Sequence, residues 1–213
     1  MHHGVRCIRW LTTALAAFAF CTSLRAQAPA EDPAPALLKT IDSVVDMVVG
    51  QSPETITSRV DQIRAKMDES FATEAIVHRA FGANWSKLSP AQQKEVIDLL
   101  GRVIIRTYAT QMSEAQKPVI KVVSSKLITP ERREIATTAT TAAGKTVNIV
   151  YRLFPQNGKW MVYDVLAENV SVVGNYRQQF DAHFQKKNAD DLIKMLREKL
   201  TAPIPPAPPE KAK

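Results

Sequence analysis

Cysteine is almost missing from this chain, and both copies, Cys7 and Cys21, fall within the first 26 residues. A secreted chain that loses that stretch has no cysteine left, so it is not a disulfide scaffold and needs an ordinary apolar core. Histidine is nearly as scarce. Beyond residue 26 only His78 and His183 remain, in no HExxH or similar spacing, which argues against a zinc site. No Gly-x-Ser-x-Gly elbow exists, since Gly50-Gln51-Ser52-Pro53-Glu54 lacks the second glycine. Gly144-Lys145-Thr146 looks like the end of a phosphate loop, but Ala139 stands where the earlier glycine belongs. The triplet also falls between two strand-like segments, so it reads as a hairpin turn. No apolar run spans a bilayer: Trp10 to Phe20 is 11 residues, against about 20 for a transmembrane helix. Basic residues exceed acidic ones by 28 to 21 without clustering, which argues against nucleic acid as a partner.

The first 26 residues have the layout of a secretory signal: Arg6 and Arg9, the apolar run, then Leu24-Arg25-Ala26 before Gln27. Phe20 ahead of Cys21 is too large for lipoprotein processing. Loss of Arg6, Arg9 and Arg25 lowers the net charge from +7 to +4. The expected setting is a Gram-negative periplasm. The organisation read from composition is residues 1–26 signal peptide, 27–35 flexible leader, 36–200 one folded domain and 201–213 a Pro-rich disordered tail.

Helical grammar fills the first half. Ala36 to Val49 carries a wide apolar face, and Ser52-Pro53-Glu54 starts a second helix striped by Ile56, Val60, Ile63, Met67 and Phe71. A third helix follows Thr73 and ends near Gly82. Ser89-Pro90-Ala91-Gln92 is a capping box opening a long helix to about Gln111, unusually apolar from Val96 to Met112. Gly101 inside it costs about 1 kcal/mol against alanine, so either another element or a ligand approaches there, or the helix packs on two sides. From Pro118 the grammar turns to strands: Val119 to Thr129, Arg132 to Thr141, Lys145 to Phe154, and a fourth from Lys159 after the Asn157-Gly158 turn. In the last strand Trp160, Val162, Asp164 and Leu166 are expected on one face, Met161, Tyr163 and Val165 on the other. An apolar hinge, Val170 to Gly174, leads to helices from about Asn175 to Lys187 and Ala189 to Leu200. Helices, antiparallel sheet, helices: the class is α+β.

Of 11 aromatics beyond residue 26, seven lie between Tyr151 and Phe184. The broad-faced long helix opposite this aromatic strand is one way to build an apolar cavity, and plain core packing is the other. Asp164 is either catalytic or, as buried carboxylates more often are, paired, with Arg177 its natural partner.

The strings Tyr151-Arg152-Leu153, Asn157-Gly158-Lys159-Trp160, Val162-Tyr163-Asp164-Val165, Val170-Ser171-Val172-Val173 and Asn175-Tyr176-Arg177-Gln178-Gln179-Phe180 resemble the MlaC family of periplasmic phospholipid-binding, or toluene-tolerance, proteins. Glu74-Ala75-Ile76-Val77, Gly82 with Trp85, Ser89 to Gln93 and Arg106 to Ala109 follow the same family order. Met161 and the Ala-Glu-Asn run before the hinge depart from it. The resemblance implies a twisted antiparallel sheet of about four to five strands wrapped by helices, with an apolar lipid pocket between them. It implies no catalysis and no cofactor, only phospholipid cargo, carried between an outer-membrane lipoprotein complex and an inner-membrane ABC transporter. A hopanoid carrier of the same family, or a lipid-acting hydrolase, are the alternatives. Candidate pocket residues are Ile104, Ile105, Tyr108, Tyr151, Leu153, Tyr163, Val165, Val170, Val172 and Val173, with Arg177 toward the lipid phosphate.

Overall fold

Turn chemistry sets the sheet. The computed structural model describes residues 31–113 and 116–202. The expected signal peptide and nearly all of the tail lie outside those residues. Strands β1 (Val119–Thr129), β2 (Arg132–Thr140), β3 (Thr146–Gln156) and β4 (Lys159–Ala167) form an antiparallel meander, joined at its end by the two-residue β5 (Val170–Ser171). Asn157 and Gly158 both take positive φ, 50° and 74°, between paired Gln156 and Lys159, the tight hairpin that Asn-Gly favours. Glu168 and Asn169 do the same, at 47° and 66°, between Ala167 and Val170. That second hairpin carries no glycine and adds β5, which the strand pattern did not suggest. Gly144 lies in the β2–β3 connection, between paired Thr140 and Thr146.

The described residues hold seven α-helices: α1 (Ala34–Val48), α2 (Pro53–Ser58), α3 (Val60–Met67), α4 (Thr73–Phe81), α5 (Pro90–Ser113), α6 (Val172–Phe184) and α7 (Ala189–Thr201). A short 3₁₀ turn, Gly82–Lys87, links α4 to α5. The second helix expected from the stripe is broken at Arg59. There the Thr57 and Ser58 hydroxyls donate to the Pro53 and Thr55 carbonyls, competition that weakens a helix. Both halves still bury their apolar side chains, Ile56 on one and Val60 and Ile63 on the other. Phe71 has left the helix. The Ser70–Ala72 segment instead bonds the main chain of Val162 on both sides, closing part of β4's edge.

α5 is the central helix, packed by α3, α4 and α7. An added Cβ at Gly101 would stand 3.0 Å from Thr73 Cγ2 and 3.6 Å from the Arg64 guanidinium carbon, so neighbouring helices use the glycine's space. No helix of the described residues is long and apolar enough to cross a membrane.

Two expectations for the stretch after Lys159 are corrected. Arg152 pairs with Asp164 but Leu153 with Val162, so Tyr163 is an extra residue and the alternation slips. Val165 therefore joins the face of Trp160 and Val162, and Asp164 turns to the opposite face beside Arg152. The supposed hinge is also regular structure. α6 begins at Val172 because Ser171 Oγ accepts the Gly174 N–H at 2.8 Å and Asp164 accepts the Val173 N–H at 3.2 Å. Two first-turn donors are thus satisfied, which outweighs the β-branched pair's reluctance to be helical.

Candidate functional site

The interior is divided into three apolar clusters, and α5 borders two of them. The first joins α4, α5, α6 and α7 around Phe81, Leu100, Phe180 and Leu192. The second lies on one sheet face, where Ile135, Tyr151, Leu153, Trp160 and Val162 meet Leu37 and Phe71. The third joins α1, α2, α3 and the end of α5 through Val48, Ile56, Ile63, Ile105 and Ala109. Ile76 packs against both the first and second, and Met67 against both the second and third, so the three abut along a seam.

The candidate residues distribute along and beyond this seam. Neighbouring Ile104 and Ile105 go to different clusters, Ile104 half-buried on the first and Ile105 buried in the third. Tyr151 and Leu153 are buried in the sheet cluster with Val165 half-buried on it; Val173 is buried and Val172 half-buried in the helical cluster. Val170 on β5 is 64% exposed and Tyr108, one turn beyond Ile104, is 36% exposed. Apolar side chains left half in water on α5, β4, β5 and α6 are the ones a ligand entering between the clusters would cover. Tyr176, outside the expected lining, is buried in the helical cluster near Tyr108. Burial first, then the nearby Tyr108 hydroxyl, push its phenol up to about 12. Its place in the Asn175–Phe180 string is visible in the sequence; its nearness to Tyr108 is not.

Asp164 and Arg177 do not pair. The buried Asp164 carboxylate takes both contacts of Ser171 Oγ, at 2.8 and 2.9 Å, the Val173 N–H, and Arg152 Nη1 at 3.6 Å. Arg152 in turn holds Glu134 at 3.0 Å. The Asp164 carboxylate thus joins β3, β4, β5 and the start of α6.

Arg177 reaches α4 instead, where Nε donates to the Arg79 carbonyl at 3.0 Å and Nη2 donates to the same oxygen. It lines an open cleft of about 660 Å³ with Glu74, Ala75, His78, Arg79, Gly82, Phe154 and Gln156. Phe154 follows Leu153 along β3, so its side chain leaves the sheet on the other face from the apolar seam. Tyr163 stands beside Phe154, ring to ring at 5.9 Å, with the Arg79 guanidinium 4.3 Å above it. Arg177 thus lines this cleft and Tyr163 adjoins it, and neither joins the apolar clusters. Among the described residues no group of His, Cys, Asp and Glu is placed to hold a metal.

The sequence pattern of the MlaC protein family matches residues 39–198. No curated protein matches the chain. Among solved structures, a phospholipid-binding protein from Ralstonia solanacearum, in complex with a phospholipid, superposes with a TM-score of 0.70 at 20% identity. The match covers 80% of this chain and 97% of that one. The shared fold is the α+β arrangement of helices around an open antiparallel sheet.

Proposed function

We propose that this chain, which belongs to the MlaC family, is a periplasmic phospholipid carrier that holds the acyl chains in the seam between its apolar clusters. The observation that carries this reading is the meeting of the sheet cluster with the helical clusters at Ile76 and Met67, with Ile104 and Val172 left half-buried on the one side and Val165 on the other. That the Ralstonia relative of the same fold is in complex with a phospholipid supports it. The lining of the proposed site is Ile104, Ile105, Tyr108, Tyr151, Leu153, Val165, Val170, Val172 and Val173, now with Tyr176.

Each buried methylene contributes about 0.8 kcal/mol, so two long acyl chains leave water with a gross gain of roughly 20 kcal/mol. Binding costs reduce that figure, but spontaneous release into buffer stays slow. Such a carrier unloads where another apolar path is offered, and the family resemblance implies an outer-membrane lipoprotein complex and an inner-membrane ABC transporter as the partners that offer one. The chain's own residues bind and shield the tails; none is assigned a catalytic role. Organic extraction of the purified protein followed by mass spectrometry tests the reading. Co-purified diacyl phospholipid supports it. Hopanoid would keep the carrier role and change the cargo, and an empty protein that hydrolyses added phospholipid would overturn it.

A further inference from the structure

The cleft on the other sheet face has a construction that the lipid seam does not explain. One stripe of α4, Glu74, Ala75, His78 and Arg79, lines it with Gly82 just past the helix end, together with Phe154, Gln156 and Arg177. Two guanidiniums are fixed in it by different means. Arg79 lies 4.3 Å over the Tyr163 ring and 6.0 Å from that of Phe154, a cation–π seat that orients the charge. Arg177 is tethered by its two N–H groups to the Arg79 main-chain carbonyl, and its third nitrogen is left for another partner. Gly82 makes that tether possible twice over. Its φ is +53°, and a Cβ there would stand 3.1 Å from Arg177 Nε.

Arg64, Arg102, Arg133, Arg152 and Arg197 each meet a carboxylate, whereas Arg106, like Arg177, is held by main-chain carbonyls. Among the described residues, no carboxylate pairs with Arg79 or Arg177. Two guanidiniums with no ion-pair partner, both lining one concave site, suit a planar anion.

We propose that this cleft is a docking site for an acidic side chain of a partner protein, its carboxylate held between Arg79 and Arg177 and its stem lying along Phe154. Concavity favours a protruding side chain over a flat anionic membrane, which would ask for a spread of lysines. Glu74, itself part of the lining, disfavours a dense anionic surface there. The site is independent of the lipid seam, because Phe154 and Tyr163 leave the sheet on the opposite face from Tyr151 and Leu153.

The test is a titration of fluorescein-labelled hexaglutamate with the purified protein at low ionic strength, read by anisotropy. Saturable binding is expected, weakened about tenfold by Arg79→Gln and by no more than about twofold by Lys126→Gln with Arg132→Gln on the β1–β2 surface. Arg79→Gln spares the Arg177 tether, which runs to the main chain. Lipid recovered by extraction is expected to be the same in wild type and Arg79→Gln, so failure of docking and failure of lipid binding are separately visible. Should that variant fail to fold, the arginine Nε–H NMR signals of the wild type serve instead. Saturable shifts of the Arg79 and Arg177 signals support the proposal. It is overturned by no saturable binding, by equal loss in the β1–β2 control, by unshifted cleft signals, or by inorganic phosphate displacing the peptide where equal acetate does not.

Discussion

At the scale of single residues, Asp164 and the buried tyrosines carry the sharpest expectations. Asp164 is 5% exposed and ties together Ser171, the Val173 N–H and Arg152. Asp164→Ala leaves those donors unpaired and uncaps α6, so unfolding in urea should show a loss of about 3 kcal/mol. A variant as stable as wild type would mean the carboxylate is not structural. Burial pushes both Tyr151 and Tyr176 up to about 12 from 10.0. A raised phenol pKa means the folded state keeps a proton that the unfolded chain has already lost. The stability from these two groups is therefore full below about pH 10 and is lost as the pH climbs toward 12. Each contributes a slope of about 1 kcal/mol per pH unit in that window. Urea midpoints compared at either end of it should fall steeply for wild type and less steeply for Tyr151→Phe, which leaves Thr137 its bond to the Ile149 carbonyl.

At the scale of elements, Gly101 separates propensity from packing. Alanine there gains about 1 kcal/mol in an open helix. Here the new methyl meets Thr73 Cγ2 at 3.0 Å, and Thr73 is pinned because its hydroxyl donates to Asp68. Gly101→Ala should thus lower the urea midpoint, and adding Thr73→Ser, which removes that methyl, should restore it. Recovery failing to appear would place the strain elsewhere. The outer strand β1 behaves oppositely. Val119, Val123, Leu127 and Ile128 are each more than half exposed on a strand whose outer side pairs with nothing described. Val123→Lys should leave the melting temperature within the usual small surface effect, about 0.5 kcal/mol, while reducing association in sedimentation velocity. The same contrast explains what was legible in advance. Caps and turns are local, so Ser52, Ser89, Asn157-Gly158 and Asn188 marked their elements correctly. The Tyr163 bulge, the break at Arg59 and the early start of α6 depend on partners distant in sequence, which a period of 2 or 3.6 does not register. Charge complementarity points Arg177 to Asp164, yet α4 presents a carbonyl to it instead.

At the scale of the whole molecule, the three clusters matter more than any one residue. A chain that merged them would be a more uniform core but would have no apolar boundary to open. Ile104 and Ile105, adjacent on α5 and committed to different clusters, make that helix the natural divide. Bound lipid stabilises only the state that holds it, and at a hundredfold excess over Kd adds about 2.7 kcal/mol. The gain should appear where the tails lie. Hydrogen exchange compared between lipid-loaded and delipidated protein is expected to slow in the second half of α5, in β5 and in the first two turns of α6. Amides of α2 and of the β1–β2 hairpin, away from those half-buried side chains, should exchange alike in both. Protection confined to α4 and the Phe154 end of β3 would instead put the lipid in the arginine cleft. That outcome would overturn the assignment of the tails to the seam while leaving the MlaC fold untouched.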